Sequence, residues 1–241
     1  MKLSEFKTIT PKDLTPKQYK LGNIAATRKL LPKNAERIGS TDARFGRVYV
    51  NPEEPGTATK IVRKVEDIHS DAYFKYISAL AKNDRITNNP FFPRIYKVRV
   101  VKDKQGKDLY SVEMERLQDF DTLSAEECNM LGQKLFFNYA GFERDMLARK
   151  KEITPTQHRD EVSLEDRGDA GFVLLKAIGK CLENPEQVAT YIKDPKLKAA
   201  LVILQGMLKR DVGLVPDIHS GNIMVRRGPG GPQLVITDPI C

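Results

Sequence analysis

Two short segments near the end of the sequence decide how the rest of the chain is interpreted. Residues 215–224 read VPDIHSGNIM, and residues 235–238 read VITD. The intervening GPGGP at 228–232 predicts the turn of a β-hairpin with strands over 222–225 and 233–238. Because a hairpin folds back on itself, we expect Asn222 and Asp238 to lie side by side although they are sixteen positions apart.

The residue types in these segments suit phosphoryl transfer. The amide oxygen of Asn222 and the carboxylate of Asp238 are hard oxygen ligands of the kind that Mg²⁺ prefers. The carboxylate of Asp217 can accept a proton from an attacking hydroxyl group. Metal ligands together with a residue that orients the nucleophile are the parts that phosphoryl transfer requires.

The spacing of Asp217, His219 and Asn222 forms an Asp-x-His-x-x-Asn pattern. It resembles the catalytic loop of kinase-like phosphotransferases more than the His-Arg-Asp loop of ordinary eukaryotic-type kinases. Together with Ile-Thr-Asp-Pro at 236–239, the string resembles the early Ser/Thr protein kinases of short-tailed lytic bacteriophages. This resemblance implies that ATP and Mg²⁺ are cofactors, that Asp217 is catalytic, and that Asn222 and Asp238 hold the metal. We interpret His219 as a brace of the loop rather than a catalytic group.

The first half of the chain is predicted to be mainly antiparallel strands with one helix. Residues 47–50 and 57–65 predict a hairpin, and residues 94–101 and 109–117 predict a second one. Between them, residues 71–82 carry apolar side chains at helical spacing. Upstream, residues 15–31 are also predicted to be helical, ending before a proline.

The second half is predicted to be mostly helical. Ser124 and Glu127 form a capping-box pattern that starts one helix, and further helices are expected over 170–182 and 195–209. The helix over 195–209 is apolar on most sides, so we expect it to be buried. Residues 154–167 are polar and predict a loop.

These elements predict an α+β protein with a minimal bilobal kinase-like fold. We expect a basic helical leader over 1–35, an antiparallel β N-lobe with one helix over 36–117, and a mainly helical C-lobe over 118–241. The C-lobe is expected to be truncated after the metal-binding Asp238, because the sequence ends three residues later.

The resemblance also implies nucleotide-binding residues in the N-lobe. Residues 38–49 resemble a Gly-containing phosphate-covering hairpin, which assigns Gly39, Phe45, Gly46 and Val48 to the nucleotide. The middle glycine of the family pattern is missing, and the loop is two residues longer.

A lysine for the nucleotide phosphates is expected on the next strand. Residues 57–60 read TATK and resemble the family pattern Val-Ala-Ile-Lys, which favours Lys60; Lys64 has the same strand parity and is the alternative. Lys60 would be a catalytic as well as a cofactor-binding residue. Backbone groups of Glu115 and Leu117 are expected to meet the adenine edge.

Two departures from the family pattern leave other functions open. Residues 72–83 contain no glutamate to pair with the lysine, and Asp71 is our candidate in its place. Asp238 is followed by Pro239 rather than Phe-Gly. The alternatives are a kinase-like small-molecule phosphotransferase, since antibiotic kinases share Asp-x-His-x-x-Asn, and a weakly active kinase-like module that docks a host enzyme.

Composition limits the classes of protein that remain. The 241 residues carry a formal charge of +8, and the segment up to Arg37 contains nine basic and three acidic residues. Its charges lack the interleaved aromatic residues of a stacking platform, so we favour a solvated leader, and direct nucleic-acid binding through it stays the alternative. Three distant cysteines predict free thiols in a reducing cytoplasm and no zinc site. No signal or membrane-spanning segment is evident, and the resemblance implies host proteins of transcription, translation or RNA processing as substrates.

Overall fold

The computed structural model describes residues 17–21, 30–31, 33–38, 46–65, 70–81, 88–103, 108–144 and 168–241. Strands and helices are both present, so the predicted α+β class is confirmed. The chain divides into two compact units. The first contains the described residues up to Asn88 together with Pro93–Leu117, and the second contains Asn89–Phe92 and Gln118–Cys241.

A six-stranded sheet forms the first unit. Its strands are β1 (Lys17–Leu21), β2 (Glu36–Ile38), β3 (Gly46–Asn51), β4 (Glu54–Val65), β5 (Ile95–Asp103) and β6 (Asp108–Glu115). Their order in the sheet is β1-β5-β6-β4-β3-β2, and every pair is antiparallel except β1 with β5. The strands β3 to β6 are rich in Val, Ile, Thr and Tyr, the residues that fit a pleated, half-buried surface.

Both faces of this sheet carry apolar clusters. On one face, helix α1 (Ala72–Ala81) packs against Tyr110, whose ring meets that of Phe74 edge-on at a centroid distance of 5.3 Å. Neighbouring residues of a strand point to opposite faces, so Leu109 lies on the other side. There it joins a buried cluster with Leu30, Ile61 and Val101.

Most of the elements predicted for this unit are confirmed, and one is wrong. The two hairpins are β3–β4 and β5–β6, and the predicted helix over 71–82 is α1. The predicted helix over 15–31 is wrong at 17–21, which form β1 and pair in parallel with β5. An unpaired strand edge offers a row of backbone donors and acceptors, and pairing with it overrides a weak local helix preference.

The second unit combines helices with a three-stranded sheet. Its elements are β7 (Gln118–Asp119), a 3₁₀ turn (Phe120–Thr122), α2 (Ala125–Leu135), α3 (Gly168–Glu183), α4 (Pro185–Tyr191), α5 (Pro195–Arg210), β8 (Ile223–Gly228) and β9 (Gly231–Ile236). The predicted capping box is confirmed. The Ser124 hydroxyl accepts from the Glu127 N–H, and the Glu127 carboxylate accepts from the Ser124 N–H.

The predicted helices over 170–182 and 195–209 are confirmed as α3 and α5. The helix α4 was not predicted from the sequence. The prediction that α5 is buried on most sides is wrong, because Val202 is 52% exposed. Burial follows one face that includes Leu197, Leu201 and Leu204. A helix that packs against its neighbours along one stripe leaves the opposite side to solvent, whatever its composition there.

Residues 89–92 belong to the second unit although they lie between α1 and β5 in the sequence. The Arg226 guanidinium donates to the carbonyls of Pro90 and Phe92, and the Ile236 N–H donates to the Phe91 carbonyl at 2.8 Å. The Asn89 side chain donates to the carbonyl of Lys196. This short connection is therefore anchored to the hairpin β8–β9 and to the start of α5.

Among the residues that the structure describes, no helix has both the length and the apolar character needed to cross a membrane.

Candidate active site

The hairpin β8–β9 brings the two predicted metal ligands together. Its closing pair is Gly228 with Gly231, and Ile223 lies opposite Ile236. Gly231 has a φ of +88°, a conformation that favours glycine in such a tight turn. Beyond the last pair, the Thr237 N–H and hydroxyl both donate to the Asn222 carbonyl at 2.9 Å. Asp238 therefore follows directly the residue that is bonded to Asn222.

A second strand-like contact holds Asp217 beside the residues that follow Asp238. Val215 and Cys241 exchange backbone hydrogen bonds of 2.9 and 3.1 Å, and the Asp217 N–H donates to the Pro239 carbonyl at 2.8 Å. Between them, Pro216 and Ile240 form a β-bridge, and Ile240 is only 2% exposed. The last three residues of this chain are thus part of the support of the loop that carries Asp217.

A direct contact between side chains links Asp217 to Asn222. The Asn222 amide nitrogen donates to the carbonyl of Asp217 and to its carboxylate oxygen Oδ2, both at 2.9 Å. Asn222 is buried, which restricts other orientations of its side chain. Because the amide nitrogen faces Asp217, the amide oxygen Oδ1 faces the opposite way and can act as an acceptor or metal ligand.

The turn between these two residues is organised around His219. Its backbone carbonyl accepts from the N–H groups of Asn222 and Ile223. Its ring nitrogen Nδ1 accepts from the Gly221 N–H at 3.0 Å, and Nε2 lies 3.7 Å from Asp217 Oδ2. The ring therefore bridges the turn and the carboxylate of Asp217.

Two carboxylates influence the thiol of Cys241, the residue that pairs with Val215. Partial burial raises the pKa of the Cys241 thiol, and the charges of Asp217 and Asp238 raise it further.

The donor set fits Mg²⁺ rather than a metal that prefers nitrogen or sulfur. In the described part of the chain, no three residues of the types His, Cys, Asp and Glu converge as a metal centre. The candidate ligands are the Asn222 amide oxygen and the Asp238 carboxylate. Mg²⁺ commonly binds through one or two protein oxygens and completes its shell with water and phosphate oxygens.

The predicted phosphate lysine, Lys60, lies in the first unit. On β4 it is paired with Val48 of β3 and with Val112 of β6. Strand parity places Ala58 and Lys60 on the same face, which α1 covers. There the Lys60 ammonium lies 3.7 Å from the centroid of the Tyr73 ring, a cation–π contact.

The helix next to Lys60 offers aromatic rings rather than a carboxylate. Its ten residues from Ala72 to Ala81 contain no acid. Asp71, our candidate partner for the lysine, directly precedes it. The Asp71 oxygen Oδ1 accepts from the Phe74 N–H at 2.7 Å and from the Tyr110 hydroxyl. Asp71 thus caps α1, and its pairing with Lys60 stays a prediction.

The predicted adenine-binding stretch ends the first unit. The Glu115 N–H donates to the Arg94 carbonyl at 3.0 Å, while the Glu115 carboxylate accepts from the Arg94 N–H. The Arg116 N–H donates to the Gly56 carbonyl. The N–H groups of Glu115 and Arg116 are therefore engaged, and recognition of adenine by Glu115 would use its carbonyl. Leu117 is the last residue before the second unit.

Several predicted residues lie wholly or partly outside the described residues. Gly39 and Phe45 are among them. Gly46 and Val48 begin β3, so the strands that flank the predicted phosphate loop are antiparallel as expected. Lys64 is on β4, but its side chain is not described. The choice between Lys60 and Lys64 stays open on this ground.

Sequence reasoning missed two parts of the site. It treated Pro239, Ile240 and Cys241 as the end of the chain rather than as partners of residues 215–217. Two short apolar stretches that flank a polar loop were the available signal. It also missed the Tyr73 contact with Lys60, which depends on the packing of α1 on the sheet.

No family model matches this chain, and no curated protein matches it either.

Proposed function

We propose that this chain is an ATP- and Mg²⁺-dependent Ser/Thr protein kinase of bacteriophage type. The observation that carries the proposal is the bond from the Asn222 amide to the Asp217 carboxylate at the base of the hairpin that leads to Asp238. The amide of Asn222 thereby orients the carboxylate of Asp217 through its nitrogen and offers its own oxygen Oδ1 as a candidate metal ligand.

Asp217 would act on the attacking hydroxyl. Its side chain is 39% exposed, so a Ser or Thr hydroxyl can reach it from solvent. The backbone bond to Pro239 and the side-chain bond to Asn222 restrict its position before substrate arrives. A carboxylate that is already oriented can align the nucleophile and receive its proton without further reorganisation.

Asn222 and Asp238 would hold Mg²⁺ through the amide oxygen Oδ1 and the carboxylate. The ion supplies neutralisation of the phosphate charge when it is bound. Lys60 would contribute a second positive charge toward the phosphates. Gly46 and Val48 on β3, together with Gly39 and Phe45, would cover the nucleotide. We propose host proteins as substrates and the host cytoplasm as the compartment.

A second candidate function is a kinase-like binding module with little transfer activity. It is favoured by the absence of acidic residues from α1 and by the contact of the Lys60 ammonium with the Tyr73 ring. The cation–π contact already stabilises the lysine ammonium, so less free energy is gained when the lysine binds phosphate instead. Such a module would bind a host enzyme without strong binding of ATP.

Transfer of radiolabelled phosphate from ATP to proteins of a bacterial lysate tests the proposal. The full chain should label proteins in the presence of Mg²⁺, and Asp217→Ala and Asp238→Ala should abolish labelling. Glu183→Ala changes an exposed acid at the end of α3 and should leave labelling intact.

Three results would contradict the proposal. Unchanged labelling in Asp217→Ala would remove its central residue. Transfer only to a sugar or an aminoglycoside would indicate a small-molecule phosphotransferase. Failure to bind ATP·Mg²⁺ by calorimetry, with a partner still captured, would favour the binding module.

A further inference from the structure

We infer that His219 positions the carboxylate of Asp217 and leaves its oxygen Oδ1 as the atom that accepts the proton of the substrate hydroxyl. This inference rests on the proposed function for its chemistry, while the state of the imidazole ring can be tested without it. His219 does not touch the reacting atoms in this account, so it is a positioning residue.

A backbone hydrogen bond determines which nitrogen of the neutral His219 ring carries the proton. Nδ1 of His219 accepts a hydrogen bond from the Gly221 N–H at 3.0 Å. A ring nitrogen that accepts an N–H carries no proton of its own, so the neutral ring has its proton on Nε2. The backbone of Gly221 thus selects the tautomer that presents a donor at Nε2.

Nε2 of His219 lies near the carboxylate oxygen Oδ2 of Asp217. Nε2 lies 3.7 Å from Asp217 Oδ2, and the Asn222 amide donates to the same oxygen at 2.9 Å. The Asn222 amide therefore donates directly to Oδ2, while Nε2 of His219 is too far for a hydrogen bond but close enough to the same oxygen for electrostatic attraction. Oδ1 is not the target of either donor, which leaves it for the substrate.

The position of the His219 ring requires a glycine at residue 221. A Cβ atom at this position would lie 3.0 Å from Cε1 and 3.2 Å from Nδ1 of His219. Such contacts are tighter than normal packing, so a side chain would push the ring away from the turn. Gly221 contributes both the N–H that selects the tautomer and the space in which the ring lies.

Two substitutions of His219 separate positioning from turn formation. In His219→Asn, the side-chain oxygen can still accept from the Gly221 N–H, because Asn forms this turn two residues on, but no donor reaches Asp217. In His219→Gln, the longer amide can present an N–H donor near the place of Nε2. We expect the Asn variant to lose about tenfold or more in kcat with little change in the KM for ATP. The Gln variant should keep most of its kcat.

The opposite ranking, with Asn active and Gln impaired, would overturn the inference and make His219 a turn residue only. Equal activity of both variants and the parent chain would overturn it as well.

A ¹⁵N NMR measurement of the imidazole gives a readout that does not depend on catalysis. In the neutral form of the His219 ring, the proton should be on Nε2 and Nδ1 should carry none, with the signals assigned by their loss in His219→Asn. Gly221→Ala should weaken this tautomer preference. A protonated Nδ1 in the neutral ring would overturn the inference. If no variant transfers phosphate while the tautomer is as expected, the proposed function fails and the placement of the ring stands.

Discussion

Asp71 and Asp217 are two aspartates that lie at the edge of regular structure, and their carboxylates are held in different ways. Asp71 Oδ1 accepts from the backbone N–H of Phe74 and from the hydroxyl of the buried Tyr110. Asp217 accepts from the side chain of Asn222, with His219 near the same oxygen. One carboxylate closes a helix, and the other is held by polar side chains of its own loop.

The partners of a carboxylate distinguish an acid that stabilises the fold from one that is available for chemistry. A carboxylate that satisfies an orphan N–H at a helix start stabilises the fold, and its removal leaves that donor without a partner. A carboxylate that is oriented by side chains on one oxygen keeps the other for a substrate. The same residue type thus contributes to folding in the first unit and, in our proposal, to catalysis in the second.

Substitution of Asp217 should have the strongest effect, and it should act on the rate of phosphate transfer. Asp217→Asn should lower the rate of phosphate transfer by about 10²–10⁴-fold, the usual contribution of a positioned acid–base group. The melting temperature should change little, because the amide can keep one oxygen facing Asn222. Glu183→Gln, at an exposed acid at the end of α3, is the control and should retain activity. Equal losses in the two variants would contradict a chemical role for Asp217.

The residues that support the Asp217 loop should contribute to the stability of the fold. Ile240→Ala truncates the buried side chain of the residue that forms a backbone β-bridge with Pro216, and we expect a loss of about 2–5 kcal/mol in the free energy of unfolding. Val212→Ala, at a highly exposed position just before this region, should change it by less than about 0.5 kcal/mol. Urea denaturation of both variants gives the comparison. A loss as small as that of Val212→Ala would show that residues 239–241 do not hold the loop.

A smaller effect is expected on the affinity for ATP·Mg²⁺ when Lys60 is replaced. Lys60→Met should weaken ATP·Mg²⁺ binding by about 10- to 100-fold, as expected for loss of one charged contact to phosphate. Lys64→Met should leave the affinity nearly unchanged. Calorimetry with each variant measures this directly. If the ranking is reversed, Lys64 is the phosphate lysine; if neither variant changes the affinity, the binding-module candidate gains support.

A smaller effect is expected at Asp71. Asp71→Ala removes the acceptor for the Phe74 N–H and should lower the free energy of unfolding by about 1 kcal/mol. Asp71→Asn keeps an oxygen at the same place and should lose much less. Thermal melting of the two variants checks the order. A larger loss in transfer activity than in stability for Asp71→Asn would instead indicate that the carboxylate pairs with the phosphate lysine.

The smallest effect concerns another structural acid, Glu127. Its hydrogen bond with Arg227 is the main cause that lowers the pKa of the Glu127 carboxyl, and the Ser124 N–H lowers it too. A lowered pKa means that the ionised form stabilises the fold above the ordinary value of 4.5, and that this contribution is lost as the pH falls through the folded-state pKa.

Glu127→Gln keeps the capping geometry and removes the charge. It should therefore melt slightly below the parent chain at pH 7 and together with it under strongly acidic conditions. A difference in melting temperature that is the same at both pH values would show that charge plays no part.

Local signals accounted for the elements that sequence reasoning predicted correctly. The turn at 228–232 marks the hairpin β8–β9, and Ser124 with Glu127 marks the start of α2. Their cause lies within a few residues, in turn chemistry and in the unpaired N–H groups of a helix start. β1 lies outside this rule, because the paired edge of β5 is about eighty residues away.

The same division applies to the candidate site. The local sequence is enough to predict the hairpin that brings Asn222 toward Asp238. The fold as a whole sets three other features: Asn222 donates to Asp217, residues 239–241 support the loop, and the Tyr73 ring contacts Lys60. Covalent neighbours and turn geometry act through the chain and can be interpreted from it. Hydrogen bonds between separate segments and the packing of α1 on a sheet depend on the whole fold, because burial and register place their partners.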